Sequence, residues 1–108
     1  MKYFCSNKDR EGSCYIEFSN ITNEEFWNDD SMFIEDELMG EIGLTKVIKE
    51  VVPSFDPCGA PITINQMQWL RIKEAAENEE LCWEALKEID AWAEDNLRQN
   101  QTFKILGV

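Results

Sequence analysis

Short runs of apolar and aromatic residues near the two ends of the chain follow the two-residue period of β-strands. Residues 2–6 form one run and residues 14–18 a second, with a polar, glycine-containing stretch between them. In the second run Ile16 and Phe18 occupy alternate positions, which gives the strand one apolar face. The two runs predict an antiparallel hairpin, and residues 102–106 predict a third strand at the end of the chain.

A helical period replaces this alternation in the middle of the chain. Residues 22–28 predict a short helix with Thr22 as the N-cap of a capping box. The apolar positions at residues 33–52 fall mostly on one face at a spacing of 3.6 residues, which predicts a further helical stretch. Gly40 and Gly43 weaken that pattern, so we expect a break near them.

Two more helices are predicted in the second half of the chain. Residues 63–77 carry a second capping-box pattern, with Thr63 as N-cap and Gln66 three residues later. Residues 79–97 give the clearest amphipathic pattern in the chain, because the apolar positions occupy one half of the helical wheel.

These elements predict an α+β fold in the order β-β-α-α-α-α-β. About four helices would cover one face of a small antiparallel sheet built from the N-terminal hairpin and the C-terminal strand. A length of 108 residues predicts a single globular domain over residues 1–108.

The charge of the chain is strongly acidic and unevenly distributed. There are 22 acidic and ten basic residues, giving a formal charge of -12, and residues 11–45 hold ten acids without one Lys or Arg. This excess disfavours binding to nucleic acid or to anionic membranes, both of which need clustered bases. With no long apolar run and no visible secretory signal, we expect a cytoplasmic protein.

The residues that most enzymes use are missing. The chain has no histidine, so neither a Ser-His-Asp nor a Cys-His triad can form within it. Glycine-rich phosphate-binding motifs are absent as well. The paired carboxylates lack the spacing of a calcium loop, and Cys82 falls on an apolar helix face. The sequence therefore predicts no catalysis, no metal site and no cofactor.

The four cysteines predict reduced thiols. Cys5, Cys14, Cys58 and Cys82 form no C-x-x-C pair and match no zinc-module spacing. Cys5 and Cys14 are the pair to watch, because the predicted hairpin would bring them opposite each other.

The acidic stretch favours a binding protein that neutralises a basic partner. The sharpest form of this hypothesis is a bacterial immunity protein that blocks a nuclease-type toxin. Trp69 and Trp92 are expected in the core, whereas two other tryptophans could anchor an interface. The predicted contact surface comprises seven acids and these two anchors: Glu24, Glu25, Asp29, Asp30, Glu35, Asp36 and Glu37, with Trp27 and Trp83.

Two alternatives stay open. A nucleic-acid mimic would block DNA-binding or RNA-binding enzymes, although the acids here are irregularly spaced. A non-catalytic regulatory or accessory domain would need no charge-driven partner. The sequence identifies neither the partner nor the oligomeric state.

Overall fold

The computed structural model describes residues 1–20 and 26–107. Within them the chain forms a five-stranded antiparallel sheet and four α-helices, which confirms the predicted α+β class. The strands are β1 (Phe4–Cys5), β2 (Tyr15–Ser19), β3 (Met32–Glu35), β4 (Ile62–Asn65) and β5 (Thr102–Leu106). The helices are α1 (Asp36–Glu41), α2 (Leu44–Val51), α3 (Gln66–Ala76) and α4 (Glu80–Asn100), and a short 3₁₀-helix at Asn7–Asp9 follows β1.

The sheet has the strand order β1-β3-β2-β5-β4. Its inner face packs against the helices. The alternate residues of β2 that point inward, Ile16 and Phe18, lie opposite Ile34 and Ile105 on the neighbouring strands. All four side chains are fully buried, as expected for the face of a sheet that packs against helices.

Aromatic side chains join the helices to this inner face. The Trp69 ring of α3 and the Trp92 ring of α4 both meet the Phe103 ring of β5 edge-on, with ring centroids 5.4 Å apart in each pair. Trp69 is fully buried and Trp92 partly buried against the core, so both tryptophans lie where the sequence predicts. Such edge-to-face pairs add about 1 kcal/mol each beyond the area that they bury.

The predicted N-terminal hairpin is wrong in its pairing, because β3 inserts between β1 and β2. Phe4 lies opposite Ile34 and Cys5 opposite Phe33, so neither residue pairs with β2. Cys14 is exposed just before β2, and both thiols are free. The expected juxtaposition of Cys5 and Cys14 across a hairpin is therefore not formed.

The stretch at residues 33–52 contains a strand that the helical pattern concealed. Phe33 and Ile34 are both fully buried because the two faces of β3 are both covered. Consecutive apolar residues of this kind fit a buried strand as well as a helix. The break near the glycines is confirmed: Gly43, with φ of 84°, separates α1 from α2.

The helix predicted at residues 63–77 begins later, because its first residues belong to β4. Ile64 is buried while Thr63 and Asn65 are exposed, which is the alternation of an edge strand. A capping box is present, but its N-cap is Asn65 in place of Thr63. The Gln68 backbone N–H donates to Asn65 Oδ1 at 2.8 Å, and the Asn65 N–H donates to Gln68 Oε1 at 2.9 Å.

The last two predicted elements are confirmed. Helix α4 spans Glu80–Asn100, and β5 spans Thr102–Leu106 as expected. The short helix predicted at residues 22–28 lies largely outside the described residues. Within the described part, Trp27 has a φ of 66° and is not helical.

Candidate functional site

A buried carboxylate lies at the centre of the outer face of the sheet. Glu17, in the middle of β2, is only 1% exposed. Its Oε1 accepts the Trp27 backbone N–H at 2.6 Å. Its Oε2 accepts the Asn28 backbone N–H at 3.1 Å, Asn28 Nδ2 at 3.1 Å and the Ser31 hydroxyl at 2.6 Å. Glu17 thereby fastens a loop of six residues, 26–31, which we call the clamped loop.

The charge of Glu17 is compensated by hydrogen bonds. Among the described residues no Lys or Arg forms an ion pair with it. An isolated buried carboxylate is strongly unfavourable, so its oxygens need donors or a cation. The donors that the structure describes come from the clamped loop, and hydrogen bonds to a charged acceptor are about twice as strong as neutral ones.

A cluster of stacked side chains around Trp27 holds the clamped loop. The Trp27 ring lies on the Phe33 ring with centroids 5.9 Å apart and planes 18° apart. The Arg10 guanidinium lies 3.8 Å from the Trp27 ring centroid and 5.8 Å from the Phe33 ring centroid, so it contacts both rings. Trp27 is therefore partly covered and helps to fasten the loop to the protein, and its role as an interface anchor stays a prediction.

Two further contacts hold the ends of the clamped loop. Asn7 Nδ2 donates to the Trp27 carbonyl at 2.8 Å and to Asp29 Oδ1 at 3.1 Å. The Arg10 Nε donates to Asn7 Oδ1 at 2.8 Å and so ties this contact to the stack. On the other side, Trp92 Nε1 donates to the Asp30 carbonyl at 2.9 Å, which connects the loop to α4.

The backbone of the loop is strained at Trp27. A φ of 66° places this bulky residue in the left-handed region, which glycine favours and aromatic side chains avoid. Such a conformation costs about 1–3 kcal/mol and persists only where surrounding contacts impose it. Strained positions of this kind concentrate at functional sites, which makes the clamped loop the leading candidate here.

The surface of the clamped loop combines one aromatic ring with two carboxylates. Phe26 is 48% exposed, and Asp29 and Asp30 are both exposed. A cavity of about 340 Å³ adjoins the loop and is lined by Ser6, Asn7, Lys8 and Asp29.

The acids predicted as one contact surface fall into two groups. Asp29 and Asp30 lie in the clamped loop, before β3. Glu35 ends β3 and is the N-cap of α1, and Asp36 and Glu37 are the first residues of that helix. The strand carries the chain by about 13 Å from Ser31, the last residue of the clamped loop, to Glu35, at roughly 3.3 Å for each residue. Glu24 and Glu25 lie outside the described residues.

The surroundings of Trp83 differ from those of both groups of acids. It is half-buried against the core and lines a small cavity between α3 and α4 with Lys73, Leu86, Lys87 and Asp90. Two lysines and one carboxylate therefore lie beside it. Its role as an interface anchor stays a prediction, as do the roles of the acids.

A polar network beside Trp83 joins α3 to α4. Lys73 Nζ contacts Asp90 Oδ1 at 3.1 Å and Glu94 Oε1 at 3.0 Å, and Trp69 Nε1 donates to the same Asp90 oxygen at 2.9 Å. Burial lowers the pKa of Lys73, but hydrogen bonds and charge from Glu94 and Asp90 outweigh it and raise the pKa overall. This network satisfies partly buried polar groups between helices.

A second carboxylate collects backbone donors at the start of the chain. Glu88 of α4 accepts the N–H groups of Lys2, Tyr3 and Phe4 at distances of 2.7 to 3.2 Å. The Tyr3 hydroxyl donates to Glu84 at 2.9 Å, and burial together with this bond raises the pKa of Tyr3. Helix periodicity assigned Glu88 to a solvated face and so missed this contact.

Two of the four thiols, those of Cys5 and Cys82, are poorly suited to nucleophilic chemistry. Burial, with the nearby Glu79 charge, raises the pKa of Cys82 to about 11. Burial and the Asp9 charge raise the pKa of Cys5, against a smaller opposing effect of Arg10. A raised pKa leaves little thiolate near neutral pH.

Two kinds of feature are absent from residues 1–20 and 26–107. No cluster of three or more Cys, Asp or Glu side chains in this part of the chain is placed to hold a metal ion. None of its helices combines the length and apolar character needed to cross a bilayer.

Comparisons with protein-family models, with curated proteins and with solved structures find nothing that matches this chain. The assignment of function therefore depends on the site alone.

Proposed function

We propose that this protein binds a basic protein partner and neutralises it, with the clamped loop at the centre of the contact. The observation that carries the proposal is the exposed Phe26 beside Asp29 and Asp30 on a loop held in one conformation. Aromatic side chains at the centre of an interface, with charged residues around them, supply much of the binding energy of protein complexes.

The clamped loop is prepared for binding in a second way. Ordering a flexible segment on association costs free energy that a pre-organised segment avoids. Glu17, Asn7 and Arg10 already fix this loop through hydrogen bonds and stacking. Its exposed side chains can therefore meet a partner without a large ordering cost.

The charge of the protein indicates the kind of partner. A formal charge of -12 attracts basic proteins and raises the rate of encounter with them. Nuclease-type toxins are basic where they bind phosphates, and carboxylates such as Asp29 and Asp30 would occupy those subsites. The protein would then act in the cytoplasm as an immunity protein, by blocking the toxin and without catalysis or a cofactor of its own.

The two groups of acids take different parts in this proposal. Phe26, Asp29 and Asp30 make the direct contact. Glu35, Asp36 and Glu37, about 13 Å further along β3, add to the long-range field that steers the partner. Phe26 is the aromatic anchor in this proposal because it is 48% exposed, whereas Trp27 is partly covered and keeps its role as an anchor only as a prediction.

Capture of the partner tests the proposal. Tagged wild-type protein and the double variant D29K/D30K are incubated with lysate of the source organism. Both are washed at low and at high salt, and the bound proteins are identified by mass spectrometry. We expect one stoichiometric basic protein on the wild type, weakened by salt, reduced on the variant, and with a nuclease or other toxic activity that this protein inhibits.

Other results would decide against this function. Many unrelated nucleic-acid enzymes on the wild type would favour a nucleic-acid mimic. No specific partner in either wash would contradict a charge-driven binding protein. A single partner that binds wild type and D29K/D30K equally would keep the binding function but remove the clamped loop from the contact.

A further inference from the structure

We propose that the clamped loop is a strap that opens from the sheet as one unit, and that the Glu17 carboxylate is its latch. The strap comprises residues 26–31, and its opening leaves the sheet and helices folded. This inference concerns the loop and the sheet alone, so it holds whether or not the protein binds a basic partner.

The strap is separate from the main hydrophobic core. The main core lies between the helices and the inner face of the sheet, where Ile16, Phe18 and Ile34 are buried. Phe33 points to the outer face and lies outside that cluster, under the Trp27 ring. Lifting the strap would therefore uncover Phe33 without removing any side chain from the main core.

The latch is one carboxylate that meets several donors of the strap together. The N–H groups of Trp27 and Asn28 and the Ser31 hydroxyl all donate to Glu17. If only some of these donors left, the carboxylate would stay buried with too few hydrogen bonds, which is costly. Partial opening is thus disfavoured, and the strap opens or closes as a whole.

The strained backbone acts in the opposite direction. Trp27 adopts a φ of 66° while the strap is closed, and opening would release it from this unfavourable conformation. The closed state is held by hydrogen bonds to Glu17, by the stack with Arg10 and by the contact of Trp92 with the Asp30 carbonyl. Backbone strain favours opening, and the bonds to the buried Glu17 latch favour closure. The strap therefore has two states, closed and open.

Hydrogen exchange of the full wild-type chain, measured by NMR over a range of low denaturant concentrations, tests the strap. Local openings expose little surface and depend weakly on denaturant, whereas global unfolding depends on it strongly. We expect the amides of Trp27 and Asn28 to exchange through one shared opening of the weak kind. The amides of Ile89 and Ala93, inside α4, should follow global unfolding. The proposal is overturned if all four amides share the steep denaturant dependence of global unfolding.

Matched variants test the latch. E17Q removes the charge with little change of shape, and we expect exchange at Trp27 and Asn28 to rise by about tenfold or more. Exchange at Ile89 and Ala93, compared at equal distance from the unfolding midpoint, should stay the same. E88Q is the control, because Glu88 also accepts backbone donors; it should speed exchange at Tyr3 and Phe4 only.

A milder variant keeps the test decisive if E17Q folds poorly. S31A retains the carboxylate and removes one donor, so the same two amides should exchange faster by a smaller factor. If the strap amides and the α4 amides of S31A changed by the same factor when compared at equal distance from the unfolding midpoint, Glu17 would support the whole fold and not a separate strap. No acceleration at Trp27 and Asn28 in either variant would show that Glu17 is not the latch.

Discussion

The clamped loop and the start of α1 are two acidic regions at opposite ends of one strand. In the sequence they belong to a single stretch without bases, but the structure holds them in different ways. The clamped loop is fastened by Glu17, which is buried and accepts four hydrogen bonds from it. Helix α1 has only six residues, and its N-cap Glu35 makes no side-chain capping bond.

This difference shows that charge density alone does not identify an interface. Both regions attract basic molecules at long range, since each carries exposed carboxylates. Only the clamped loop also presents an exposed aromatic ring, Phe26, on a backbone that buried contacts hold in place. Pre-organisation, and not the number of acids, distinguishes the two regions as binding surfaces.

Replacing the buried carboxylate should have the largest effect on stability. We expect E17Q to lower the free energy of unfolding by about 2–3 kcal/mol, because it weakens several charge-assisted hydrogen bonds and leaves donors buried. The matched change E35Q at the exposed end of β3 should alter it by less than about 0.5 kcal/mol. Urea denaturation measures both, and equal effects would remove the proposed contrast between the regions.

Removing the Arg10 side chain, which stacks on Trp27, should have a smaller effect on the free energy of unfolding. We expect R10A to lower the free energy of unfolding by about 1 kcal/mol, because the cation–π stack and the bond to Asn7 are lost. R71A is a suitable control, since Arg71 is exposed and forms no ion pair with the described residues. A loss no larger in R10A than in R71A would mean that the stack does not hold the loop.

Carboxylates at the start of α1 should contribute less to the free energy of unfolding, and their contribution should depend on salt. The double variant D36N/E37Q should lower the free energy of unfolding by about 0.5 kcal/mol, because acids favour the positive end of a helix. This loss should shrink in 1 M salt, where the screening length is about 3 Å. The loss in E17Q should persist in the same salt, because Glu17 is shielded from ions. Equal salt sensitivity of the two losses would contradict the difference in burial.

The smallest expected effect is on the alkylation rate of Cys5, which should depend on whether the clamped loop is closed. Cys5 lies opposite Phe33, and burial is the main cause that raises its pKa. Opening in E17Q would lower this pKa toward its ordinary value, give more thiolate at pH 8 and speed alkylation by a few-fold, roughly. Alkylation of Cys82, whose pKa is about 11 in the main core, should not change. Faster modification of both thiols would indicate general loosening.

Elements with long or regular patterns were predictable from the sequence. Helix α4 has 21 residues with one apolar face, and the run that forms β5 follows the polar residues Asn100 and Gln101. Strands β3 and β4 were missed because each has only four residues and continues into a helix. The pairing of β1 depends on β3, so an unrecognised strand also led to the wrong hairpin.

The candidate site was predictable only in part. The sequence singled out Asp29 and Asp30 through their charge, and both are exposed in the clamped loop. It gave Trp27 the role of an anchor, which stays a prediction, but a pattern of residues does not show that the Trp27 ring contacts Arg10 and Phe33. Nor did it identify Glu17 as the fastening group: alternation places that residue on the outer face without showing that a distant loop covers it.

The most direct test of the account is the affinity of two charge-reversed proteins for the captured partner. D29K/D30K changes the clamped loop, and E35K/E37K reverses the same number of charges at the start of α1. Calorimetric titration at low and moderate salt should show a loss of about tenfold or more in D29K/D30K at both salts. In E35K/E37K the loss should be about threefold or less and should fade as salt rises. Equal losses in the two proteins, or a larger loss in E35K/E37K, would contradict the claim that the clamped loop is the contact surface.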